Sequence, residues 1–128
     1  MTTVSGHLSE HKVKDDTHSA RVIFSGFLWR SLGLDSAGET LTRVVSTGNE
    51  QNRMLAGMAL VKAGQRTVGL IRKKVKQGEA TPELVRLLPD LDSPAARELL
   101  EQLNSDENGI HSAVAGECID QLDRMGQP

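Results

Sequence analysis

Apolar residues recur at three- and four-residue spacing from Val22 to Met125, in runs that glycine, proline or a small polar residue cuts short after a few turns. That spacing puts them on one face of a helix, whereas a half-buried strand needs strict alternation, and no Val-, Ile- or Tyr-rich alternating stretch occurs. The chain must therefore bury short amphipathic helices against one another. With aromatics at 2% and apolar residues at 38%, the core has to be built from Leu, Val, Ile, Ala and Met, which favour or tolerate helix. At 128 residues one domain can bury roughly two-thirds of its unfolded surface.

The sequence predicts a polar, mobile tail over 1–16, a single helical domain over 17–125 and a frayed end at 126–128. Within the domain, SARVIFSGFLWRSLGL carries Val22, Ile23, Phe24, Phe27, Leu28, Trp29 and Leu32. So little of that circumference is polar that the helix is expected to need cover on most sides, with Gly33 as its stop. Ser36 and Glu39, then Thr47 and Glu50, have the spacing of reciprocal capping boxes and are predicted helix starts. Gly64 and Gly78 are predicted stops. Thr81 before Pro82 and Ser93 before Pro94 open two more helices, with Pro89 limiting the first to about two turns. A last helix is expected to bury Ile110, Val114, Cys118, Leu122 and Met125 in one stripe, capped by Asp106 or Asn108.

Two segments repeat an order of small and then larger apolar residues: Ala56-Gly57-Met58-Ala59-Leu60 and Ala115-Gly116-Glu117-Cys118-Ile119. They lie about two periods of ~30 residues apart, a length found in helical solenoids, with a middle copy expected near Leu84 to Leu88. NRMLAGMALVKAG resembles the second helix of a HEAT-type repeat through Arg53, Ala56, Gly57, Ala59, Leu60 and Gly64. TPELVRLLPDLDSPAARELLEQL resembles a HEAT hairpin through Pro82, Leu84, Leu87, Leu88, Asp92, Arg97 and Leu100, in a different phase that would leave the Val68 helix as an extra element. The ~30-residue period is the preferred phase. The resemblance spans about Ser36 to Met125 and implies an all-α fold, a short α-solenoid of about three antiparallel helical hairpins. The apolar N-terminal helix would be its cap. HEAT-like arrays are mostly protein-binding scaffolds whose second helices line an inner face.

The sequence frames no catalytic constellation: phosphate loop, dinucleotide fingerprint and nucleophile elbow are all missing. A single cysteine, Cys118, precludes an internal disulfide and a Cys-based zinc site, suits a reducing compartment, and on an apolar stripe reads as buried and inert. His7, His11 and His18 with Asp15 and Asp16 could supply metal ligands only if the tail were ordered, and the reading is no metal and no cofactor. Phe24, Phe27 and Trp29, with Arg53, are the candidate partner-binding residues, because exposed aromatics anchor protein interfaces. Arg66, Arg72, Lys73, Lys74 and Lys76 form a cationic run that could track nucleic-acid phosphates, although no aromatic residue interleaves with them to stack bases. A third alternative is an accessory or lyase-like activity of the kind some HEAT-like proteins have. The expectation is a cytoplasmic, non-enzymatic scaffold that binds another protein and does not insert into a membrane.

Overall fold

A computed structural model describes residues 19–91, 93–106 and 108–126. The expected tail, with its histidines, and residues 127–128 lie outside them. The described residues are helical, with no strand among them, and none of their helices is long and apolar enough to cross a membrane. Helix α1 covers 19–32, followed by α2 (Asp35–Thr47), α3 (Glu50–Lys62), α4 (Gln65–Gln77) and α5 (Pro82–Val85). A 3-10 turn at Leu88–Leu91 leads to α6 (Pro94–Ser105) and α7 (Ser112–Met125).

Three helix starts, those of α3, α5 and α6, follow side-chain caps. Thr81 accepts from the Leu84 amide and Ser93 from the Ala95 amide, each with proline in the first helical turn, where its missing N–H costs nothing. The two predicted capping boxes do not form. Asp35 already begins α2, so Ser36 lies inside the helix and Leu34 precedes it without a side-chain cap. Thr47 ends α2 and donates to the Arg43 carbonyl at 2.7 Å. Asn49 caps α3 instead, accepting from the Asn52 amide at 2.8 Å. The last helix starts at Ser112, later than Asp106 or Asn108 would set it, and Ile110 is 85% exposed in the loop before it. Met125 is also exposed, so of that stripe Cys118 is buried and Val114 and Leu122 are partly buried against the core.

Gly64 and Gly78 do act as stops, at φ 61° and 72°, where a Cβ would crowd the following carbonyl. Gly64 turns the chain so sharply that α3 and α4, only two residues apart, do not pack along their lengths. Short connections predict antiparallel neighbours throughout. From α2 onward the helices in most extensive contact are α2 with α3 and α6 with α7, and in the second pair Arg97 meets Asp123 while Asn104 meets Ser112, so α6 and α7 run antiparallel. The segment near the expected middle copy is broken into the single turn of α5 and the 3-10 turn, since Pro89 removes an amide donor.

The core is one contiguous cluster from Val22 to Cys118. Its largest fully enclosed members are aliphatic: Leu41, Leu60, Ile71, Leu84, Leu88 and Leu100. Each contributes about 1.5–3 kcal/mol by leaving water. Contacts between elements recur at similar sequence separations. Ser19 donates to Asn52 across 33 residues, and Gly26 lies against Ala59 at the same offset, so α1 and α3 run parallel. Glu39 meets Lys74 and Ser46 meets Thr81 across 35 residues. The Cys118 thiol approaches the Val85 carbonyl across 33 and Arg86 pairs with Glu117 across 31.

Candidate interaction groove

Helix α1 buries one stripe only. Val22, Gly26 and Trp29, at i, i+4 and i+7, face inward, while Ile23, Phe24, Phe27 and Leu32 are each more than half exposed. The cover expected on most sides is absent from the described residues. Two glycines explain how closely the inward stripe seats. A Cβ at Gly26 would lie 2.7 Å from that of Ala59, and one at Gly38 would lie 2.9 Å from the Trp29 ring.

Trp29 is therefore not an exposed anchor; it is 5% exposed and enclosed between α1, α2 and α4. Its indole N–H donates to the Thr67 hydroxyl at 3.1 Å, and that hydroxyl donates to the Leu60 carbonyl at 2.6 Å. The relay ties α1 to α4 and to the end of α3, and it satisfies a polar group that burial would otherwise penalise. Thr67 carries no signal in the sequence, because a threonine inside a helix usually bonds to its own preceding turn. Arg66 completes the seat, donating to the Trp29 carbonyl at 2.8 Å with its guanidinium 5.9 Å from the ring centroid, near enough for the ring's negative face to attract it.

The cationic run is thereby divided. Arg66 is committed to Trp29, and Lys74 is buried and ion-paired with Glu39 and, at 3.1 Å, with Glu79. The hydrogen bond to Glu39, opposed by burial and reinforced by Glu79, raises the Lys74 pKa. Arg72 is half-buried, which leaves Lys73 and Lys76 as the exposed members not engaged in this way. A continuous phosphate-tracking row is not formed. Burial raises the Cys118 thiol pKa, with Arg86 opposing more weakly, so the reactive thiolate is disfavoured. His111 buries its ring before α7 with Nδ1 lacking a hydrogen-bond partner. Among the described residues no three His, Cys, Asp or Glu side chains gather as metal ligands.

What the exposed side of α1 does form is a groove. Ile23, Gly26, Phe27 and Arg30 line one wall, and Leu55, Met58, Ala59 and Lys62 of α3 line the other, around about 290 Å³. Both walls follow the i, i+3, i+4, i+7 spacing of a helix face. Met58 and Lys62 also border a second recess of about 510 Å³, with Arg53, Met54, Gly57, Val61, Leu87 and Asp90 among its lining. Of the residues singled out in the sequence, Phe27 and Arg53 lie on these recesses, one on each. Phe24 is exposed but lines neither. Met54 and Met58 escape sequence reasoning, because methionine at helical spacing reads first as core. No protein-family model, curated protein or solved structure matches the chain.

Proposed function

We propose that the chain is a short HEAT-like helical-repeat module that binds a protein partner along the α1–α3 groove and performs no chemistry of its own. Contacts recurring at 31–35 residues support the repeat reading, since in a stack each layer touches the layer one period away. On this reading α2–α3 and α6–α7 are repeat hairpins, α4 and the broken α5 segment lie between them, and α1 caps the first layer.

The observation that carries the binding reading is the exposure of Ile23, Phe27, Met54 and Met58 around two joined recesses. Large apolar side chains grouped this way, beside a core that is otherwise enclosed, mark an interaction surface. Methionine suits it, being flexible enough to fit a partner's contour. A photo-crosslinking residue at position 58 should yield a discrete adduct in cells, and Phe27→Asp should abolish it. The same probe at Glu98, exposed on α6, should yield none. Equal labelling at both positions would count against the groove.

A further inference from the structure

Resting on the groove reading above, we infer that the occupant is an amphipathic helix whose apolar stripe is bordered by carboxylates. Two observations give the occupant this chemistry. The first is shape. Walls from two parallel helices, each presenting side chains at i, i+3, i+4 and i+7, leave between them the kind of channel into which a third helix's ridge packs. The second is charge. Arg30 and Lys62, in the last turns of α1 and α3, stand together at one end of the groove, and Arg53 lines the adjoining recess. Asp90 is the single carboxylate lining either recess, so the borders are cationic in a chain whose net charge is −2. Among the described residues the ion pairs engage Lys74, Arg86 and Arg97, not Arg30, Arg53 or Lys62.

Cations outside those pairs, set beside an apolar channel, favour a partner that brings the opposite charge to the same border. Such charges select partners and speed encounter more than they add affinity, so the signature is a preference that salt weakens. A recessed channel favours an inserted helix over a lipid surface, which would meet the outermost side chains first.

The test uses the full chain and two fluorescein-labelled helical peptides of about five turns with the same leucine stripe, one bordered by glutamate and one by lysine. Anisotropy at low salt should show the glutamate peptide binding roughly tenfold or more tightly, with the gap narrowing as salt rises. Arg30→Glu with Lys62→Glu should reverse the preference, and Phe27→Ala should weaken both peptides. Equal binding of the two peptides, both lost with Phe27→Ala, would overturn the acidic partner while leaving the groove as a docking site. Binding of neither peptide would also overturn it, and the crosslink at position 58 then decides separately whether the groove docks anything. Capture on phosphatidylglycerol vesicles with no peptide binding, or a dimer in sedimentation that Phe27→Asp dissolves, would replace the inferred occupant with a membrane or a second copy.

Discussion

At the scale of single residues, Thr67 decides more than any aromatic does. Fully buried, it accepts from Trp29 and donates to the Leu60 carbonyl, so replacing it removes two hydrogen bonds at once. Thr67→Val keeps the volume, leaves the Trp29 indole N–H unpaired in a dry site and leaves the Leu60 carbonyl with the Ala63 amide alone, which should cost about 1–3 kcal/mol. Urea unfolding would measure the loss, and the single tryptophan would report it locally, its emission shifting to the blue as the indole N–H loses its partner. An unchanged midpoint would show that the relay contributes nothing net. Lys74 permits a pH test. Its folded pKa lies above the ordinary 10.5 because the ammonium is held by Glu39 and Glu79. Its contribution is therefore complete below about 10.5 and disappears as pH rises through the higher folded value. The stability gap between the natural chain and Lys74→Met should stay constant from about pH 6 to 9 and close only on the strongly alkaline side. A gap that closed near neutrality would place the contribution elsewhere.

At the scale of elements, the contrast between two helical glycines is the sharpest expectation. Gly69, on the exposed side of α4, has nothing within 4 Å of the place a Cβ would occupy, whereas a Cβ on Gly26 would meet Ala59 at 2.7 Å. Gly69→Ala should stabilise by about 0.5–1 kcal/mol through helix propensity alone. Gly26→Ala gains the same propensity but must push α1 off α3, and overpacking of about 1–3 kcal/mol exceeds that gain. Thermal unfolding should move in opposite directions for the two, and adding Ala59→Gly should restore much of the Gly26→Ala loss. Helix starts are legible in the sequence to the extent that one residue type dictates the frame. Pro82 and Pro94 can sit only in the first turn, so Thr81 and Ser93 have to be caps. Thr47 fails because Asn49 competes two residues later, and spacing alone does not rank rival caps; Ser36 fails because α2 already begins at Asp35, with no side-chain cap before it. The burial of Trp29 is illegible for a different reason. Which side of an almost wholly apolar helix turns inward depends on where a distant chain segment offers room, here at Gly38 and Ala59.

For the whole molecule, the recurring separation and the single core cluster make competing demands. A contiguous core from Val22 to Cys118 favours all-or-none unfolding. Side-chain links that, among the described residues, span at most 38 positions favour layers that loosen separately, because each layer loses only its neighbours' support. Two buried leucines on different helix pairs separate these behaviours. Leu41→Ala in α2 and Leu100→Ala in α6 remove side chains with no exposed surface, and each should cost about 2–5 kcal/mol. Hydrogen exchange of the two variants should then differ in pattern, not only in extent. Leu100→Ala should accelerate amides of α6 and α7 most, and Leu41→Ala those of α1, α2 and α3, with α4 responding to both because it adjoins α6 and α2. Uniform acceleration in both variants would mean that the shared core outweighs the layering. The distinction bears on binding, since a layered molecule with α1 at its edge can adjust the α1–α3 groove to a partner without disturbing α6 and α7, whereas a single cooperative block would have to present that groove already shaped.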